Sequence, residues 1–126
     1  MSNLNSSSVE YVGNMFGVNF DFPEINKTVK LTGVSFENRQ EIIPKLERNT
    51  TVFLIRDRFN EYDKYAIKVV LRHNKEYVQI GWIPKDLAKT LSPELDAGLK
   101  WKGKIKEIIG HEYKNYGILI ELEYFE

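Results

Sequence analysis

From residue 27 onward the chain is a succession of short β-branched and aromatic runs, each closed by Gly, Pro or polar residues, the pattern of a small β-rich barrel. Six runs qualify: 28–36 (TVKLTGVSF), 50–56 (TTVFLIR), 65–72 (YAIKVVLR), 77–83 (YVQIGWI), 99–109 (LKWKGKIKEII) and 116–125 (YGILIELEYF). In the last, Ile118, Ile120, Leu122 and Tyr124 share one face while Glu121 and Glu123 take the other, as a half-buried strand requires. Between 72 and 77 the polar HNKE predicts a four-residue hairpin loop. Ile42, Ile43 and Leu46 stand at helical spacing behind Asn38, a candidate N-cap, and Pro44 keeps that helix short or irregular. Pro84 and Asp86 suit the first turn of a second helix with the stripe Leu87, Leu91, Leu95. Within it, Ser92-Pro93-Glu94 reads as a fresh N-cap followed by Pro, so two stacked helical turns with a break are expected. The order β-α-β-β-β-α-β-β predicts a mainly β (α+β) domain, a six-stranded OB-like or SH3-like β-barrel with two short helices as plugs.

Ahead of the barrel the pattern changes. Residues 1–8 are rich in Ser and Asn, have little to bury, and are expected as a disordered tail. Residues 9–26 set Tyr11, Phe16, Phe20 and Phe22 among Gly, Asn and acids without a clean period, as an aromatic loop or a pair of short edge strands. The division is therefore 1–26, tail and aromatic acidic extension, and 27–126, barrel. A chain of 126 residues is the size of one domain, and burying about two-thirds of its unfolded surface suffices for a core without staples.

Composition narrows the chemistry. The absence of Cys excludes disulfides, thiolate zinc sites and thiol nucleophiles, and two histidines, His73 and His111, are too few for a His-rich metal site, so no cofactor is expected. The chain does not open on a basic stretch followed by an apolar one, and no run of roughly eighteen apolar residues occurs, so a soluble cytoplasmic domain without membrane contact is expected. Lys and Arg number 18 against 18 Asp and Glu, yet 1–26 hold Glu10, Asp21 and Glu24 with no cation, which leaves 27–126 at +3. That excess is small for a DNA-binding module, so where the cations sit matters more than their sum. The acidic aromatic extension invites a masking role across a basic groove; packing against the barrel or a dimer contact is the simpler reading.

The densest polar segment, RDRFNEYDKYAI at 56–67, lies between the second and third strand runs and overlaps their ends. Asn60 there is read first as a turn-shaping residue bonded to nearby amides. The functional reading adds an aromatic plate at Tyr62, an acceptor at Asp63 and cations at Arg56 and Arg58, a set suited to stacking a base, accepting from a sugar hydroxyl and neutralising phosphate. Asp57, Phe59, Glu61 and Asp63 lack the central Gly and final Glu of a calcium loop. In LKWKGKIKE, Lys100, Lys102, Lys104 and Lys106 fall two apart and form a basic stripe, either a solvated strand face, the preferred reading, or a secondary phosphate track. Trp82 is the better base-platform candidate of the two tryptophans, because Gly81 admits close approach of a ligand or backbone and Lys85 comes three residues later; Trp101 reads as packing.

The stretches GVSFENRQEIIPKL, RDRFNEYDKYAIKVV and QIGWIPKDLAKTL together resemble the HIRAN domain, a small barrel fused to DNA-remodelling and repair helicases and also standing alone in bacterial proteins, the kind this chain is most like. The resemblance covers about 28–123. Its most specific element is Arg56-x3-Asn60-x2-Asp63-x2-Ala66-Ile67-x-Val69, with Ile80-Gly81-Trp82-Ile83-Pro84-Lys85 downstream of it. It implies binding of single-stranded DNA or of a free 3′-hydroxyl DNA end, with Tyr62 stacking near the terminal base, Asp63 accepting from the 3′-hydroxyl, and Asn60 and Lys85 holding the backbone. The chain departs from the DNA-capturing members where Val29, Lys30 and Leu31 replace an arginine and tyrosines, where Trp82 replaces a histidine and where Phe59 replaces an asparagine. Lys30, the cation among these, joins the candidate contacts.

The leading expectation is a non-enzymatic DNA-binding module in a repair or remodelling setting, with a helicase or nuclease acting in trans. No Gly-x4-Gly-Lys-Ser/Thr occurs, so the chain carries no such motor itself. The alternative is a protein-interaction or structural barrel without a DNA site. A third class, a metal-dependent nucleic-acid hydrolase, would use Asp57, Glu61 and Asp63 as ligands.

Overall fold

The computed structural model describes residues 26–111 and 115–125, and the expected tail and most of the aromatic extension lie outside them. Six strands form: β1 (Asn26–Lys30), β2 (Thr51–Arg56), β3 (Ile67–His73), β4 (Glu76–Trp82), β5 (Lys100–Ile109) and β6 (Gly117–Phe125). Helix α1 (Arg39–Ile42), continued by a 3-10 turn (Ile43–Lys45), comes after β1, and helix α2 (Lys85–Asp96) comes after β4. The β-α-β-β-β-α-β-β order is the one read from the sequence.

All pairings are antiparallel, in the order β1-β6-β5-β2-β3-β4. Beyond β1 the chain leaves β6 and crosses to the other edge, where Thr32 and Trp82 each donate a backbone N–H to the other's carbonyl at 2.9 Å. That bridge joins the two edges, so the six-stranded sheet closes on itself in the OB-like, barrel-like manner expected and leaves no long open edge. Two glycines permit it. A Cβ on Gly81 would stand 2.8 Å from the Thr32 carbonyl oxygen, and one on Gly33, at φ +67°, would stand 2.5 Å from Trp82 Cδ1. The close approach that Gly81 allows is therefore that of backbone.

Alternation along the strands sends Val29, Val52, Ile67, Val69, Leu71, Ile80, Ile105, Ile118, Ile120 and Leu122 inward, where they form one core. Ile43 from the 3-10 turn and Ala88 and Leu91 from α2 plug it, with Leu87 and Leu95 half-buried on the expected stripe. Each fully buried aliphatic side chain contributes about 1.5–3 kcal/mol of transfer free energy.

Four local expectations are corrected. The first run is a strand only to Lys30, because Thr32 turns to β4 and the left-handed residues Gly33 and Glu37 (φ 57°) bend the chain toward α1. The β3–β4 hairpin loop is two residues long, since Asn74 (φ 51°) and Lys75 (φ 68°) both adopt the left-handed geometry of a type I′ turn whose twist matches the strands. Asn38 stands at the N-cap of α1 but makes no side-chain capping bond. Helix α2 is continuous through Pro93, and Ser92 is a buried core-side residue whose hydroxyl donates to the Tyr65 carbonyl at 2.5 Å. Pro93 lies in the last turn, where its missing N–H removes one bond to an exposed carbonyl and the helix tolerates it. Among the described residues no helix is long and apolar enough to cross a membrane.

Candidate nucleic-acid interface

The loop between β2 and β3 is tied at its base by Arg56. Its guanidinium donates to the Ala66 carbonyl (Nη1, 2.9 Å), to the Lys64 carbonyl (Nη2, 3.0 Å) and to Asp96 Oδ1 at the end of α2 (Nε, 3.1 Å). The Asp57 amide adds a bond to the Ala66 carbonyl at 2.9 Å, which completes the neck. Within the loop Asn60 accepts from the amides of Tyr62 and Asp63, each at 2.9 Å, and donates to Asp57 Oδ2 at 3.2 Å. Asp63 in turn accepts from the Tyr65 amide through Oδ1 at 2.9 Å. These nested Asx turns satisfy the loop's own backbone and fix its path. Ser92 then pins Tyr65 to α2.

These internal bonds decide which side chains the loop displays. With the Tyr62 amide committed to Asn60, Phe59 and Tyr62 project outward, 95% and 89% exposed. Asp63 is half-buried, and its second oxygen, Oδ2, has no hydrogen-bond partner among the described residues. The loop thus offers a carboxylate acceptor, fixed through its other oxygen, beside an exposed aromatic ring.

The turn from β4 into α2 lies at the same end of the barrel. Lys68 pairs with Trp82 and the Ile83 amide donates to the Ile67 carbonyl at 3.0 Å, so this turn abuts the β3 residues onto which the loop delivers. Trp82 is half-buried against Gly33, and Lys85, the first residue of α2, is exposed. Lys30, exposed on β1, precedes the Thr32–Trp82 bridge by two residues. The structure therefore gathers Asn60, Tyr62, Asp63, Trp82 and Lys85 at one end, with Lys30 on the strand that leads into the closing bridge.

The other cations are differently employed. Arg56 is a neck residue, 13% exposed, with its donors occupied, and Arg58 Nη2 donates to the same Asp96 Oδ1 at 2.9 Å. Along β5 the lysines do alternate with Trp101, Gly103 and Ile105, and Lys100 is exposed near the strand's start. Lys102 and Lys104 register against Glu123 and Glu121, with Lys104 Nζ 3.8 Å from Glu121, while Lys106 donates to Thr28 Oγ1 at 2.9 Å. Carboxylates thus flank the middle of the stripe. Among the described residues no group of three or more His, Asp or Glu side chains is arranged to hold a metal ion, so Asp57, Glu61 and Asp63 do not converge.

Two residues escaped sequence reasoning. Asp96 anchors both loop arginines from 40 and 38 positions away, and no local signal marks it. Arg39 is buried beneath the Gly33 turn, donating to the Gly33 carbonyl at 2.6 Å. Phe59, already visible in the sequence as an aromatic in a polar loop, is almost fully exposed.

Residues 27–123 match the family model described as the HIRAN domain. Among solved structures, the HIRAN domain of human HLTF is 23% identical, with a TM-score of 0.60 over 79% of this chain and 74% of that one. A protein from Lactobacillus plantarum is 21% identical, with a TM-score of 0.59 over 79% of this chain and 95% of that one. At such identities the likeness speaks to the fold. No curated protein matches the sequence significantly.

Proposed function

Because the chain belongs to the HIRAN domain family, we propose that it is a DNA-binding module that takes a single strand, and in particular a 3′-hydroxyl end, at the β2–β3 loop and the β4–α2 turn. In this reading the barrel of 27–126 is the binding unit, 1–26 precede it as an extension, and a helicase or nuclease in a repair or remodelling setting acts in trans. The observation that carries it is the state of Asp63: one carboxylate oxygen is held by the Tyr65 amide while the other lacks a partner among the described residues, beside exposed Tyr62. A carboxylate accepts only from donors, and a terminal hydroxyl is such a donor whereas a terminal phosphate dianion is repelled. Tyr62 and Trp82 supply stacking faces, and Lys85 and Lys30 supply charge for the backbone.

The test is anisotropy at low salt with a short labelled strand ending in a 3′-hydroxyl or a 3′-phosphate. Asp63→Asn keeps the acceptor for the Tyr65 amide and replaces the free acceptor by a donor. Wild type is expected to prefer the hydroxyl end by about tenfold, the worth of one charge-assisted bond, and the variant to lose that preference. Equal binding of both ends by wild type contradicts end capture.

A second reading, a protein-interaction barrel, is favoured by two observations: Asp96 neutralises both loop arginines, and acids face the middle of the β5 stripe. It becomes the better account when no strand binds.

A further inference from the structure

The outer side of the sheet formed by β2, β3 and β4 is unusual for a strand face turned to water. On β3, Ile67, Val69 and Leu71 point inward, which leaves Lys68, Val70 and Arg72 outward. Phe53 and Ile55 stand outward on β2, and Tyr77 on β4. Water-facing positions of an antiparallel sheet are ordinarily polar. Here Phe53 is 41%, Ile55 46% and Tyr77 66% exposed, and Phe53 meets Tyr77 edge-on with ring centroids 6.1 Å apart. An exposed aromatic and aliphatic cluster of this kind marks a contact surface.

Cations frame it. Strand register sets Lys68 between Ile55 and Trp82, and Arg72 opposite Tyr77, so the two charges lie about 13 Å apart along β3 with the aromatic pair beside them. Neither has an ion-pair partner among the described residues. The one acid in these three strands, Glu76, is exposed at the hairpin end of β4 and registers against His73, which is in phase with the inward residues of β3. The face is thus aromatic and positive with no carboxylate of its own, complementary to a polyanion that carries flat apolar groups. Stacking planes flanked by cations are the general means of holding single-stranded nucleic acid without reading its sequence. A second copy of the same face would bring Lys68 and Arg72 against like charges. The row Ile55–Lys68–Trp82 also makes the face continuous with the β4–α2 turn.

We propose that the outer face of β2, β3 and β4 is a second contact surface for single-stranded nucleic acid, with bases on Phe53 and Tyr77 and phosphates on Lys68 and Arg72. This rests on the nucleic-acid reading of the domain but not on end capture by Asp63. A strand held at its end would run past Trp82 onto this face, so a longer strand gains affinity that a very short one lacks.

The experiment measures binding of a labelled trinucleotide and a labelled dodecanucleotide, both 3′-hydroxyl, to the full chain. Wild type is compared with Phe53→Ser/Tyr77→Ser, with Lys68→Gln/Arg72→Gln as a second variant that spares the apolar positions, and with Asp63→Asn. Thermal melts establish that each is folded. The expected result is a tighter wild-type complex with the longer strand, weakened about tenfold or more by the aromatic double variant while trinucleotide binding stays unchanged. The charge variant is expected to flatten the salt dependence for the longer strand by about 0.7 per phosphate lost. Undiminished dodecanucleotide binding by both double variants overturns the proposal. So does a wild-type dimer that the aromatic variant dissociates without loss of strand binding, which would assign the face to self-association. Dodecanucleotide binding that needs Phe53 and Tyr77 but ignores the 3′ end upholds this face and sinks end capture. Strand-end preference lost in Asp63→Asn, with no gain from strand length, does the reverse.

Discussion

Gly33 shows how one residue serves both closure and site. Its φ of +67° turns the chain after the Thr32–Trp82 bridge, its missing side chain makes room for the Trp82 indole, and its carbonyl takes the buried Arg39 guanidinium. Gly33→Ala places a methyl group 2.5 Å from Trp82 Cδ1 in a backbone conformation that L residues adopt at a cost. The expected outcome is a loss of about 1–3 kcal/mol in urea unfolding together with a shifted tryptophan emission; an unchanged midpoint would contradict the packing described. Arg56 teaches the complementary lesson. A guanidinium beside a candidate phosphate site looks like a phosphate ligand, yet its fork spans two carbonyls and a carboxylate, which makes it a fastener for the loop that carries Tyr62 and Asp63.

At the scale of elements, the β2–β3 loop behaves as a rigid display because its side chains replace the strand ladder that its backbone lacks. Asn60 is its keystone, accepting two amides at once. Asn60→Ala is expected to cost about 2–4 kcal/mol for three lost bonds, two to amides and one to Asp57, and to raise hydrogen exchange at the Tyr62 and Asp63 amides selectively, while core amides of β3 stay protected. Uniform change across the loop and β3 would contradict that local role. This turn-shaping function was legible, since Asn in such a segment has few other uses. Strands β5 and β6 were legible too, because their alternation of Lys or Glu with apolar residues follows the pleat up to the register shift between Ile105 and Glu107. The break expected in α2 was misread for a physical reason: Ser-Pro-Glu is a local N-cap signature, but Ser92's partner is a carbonyl 27 residues upstream. The Arg56–Asp96 tie, 40 residues apart, has no local signature either.

For the whole molecule, zero net charge is compatible with a nucleic-acid surface when acids are spent internally. Asp96 is tied to Arg56 and Arg58 and Glu121 to Lys104, Glu123 registers against Lys102, and Lys85, Lys68 and Arg72 make no ion pair among the described residues. The barrel closes so that the loop, the β4–α2 turn and the Ile55–Lys68 end of the outer face of β2–β4 meet, with the rest of that face running on toward the β3–β4 hairpin, and this placement is what the functional account depends on. The most direct measurement is an amide NMR titration of the full chain with a short 3′-hydroxyl single strand at low salt. The account predicts that the amides of Tyr62, Asp63, Tyr65, Trp82 and Lys85 move together, with a single affinity, while amides along β6 do not. Resonances that stay fixed at saturating strand, or that move only on β5 and β6, would contradict it.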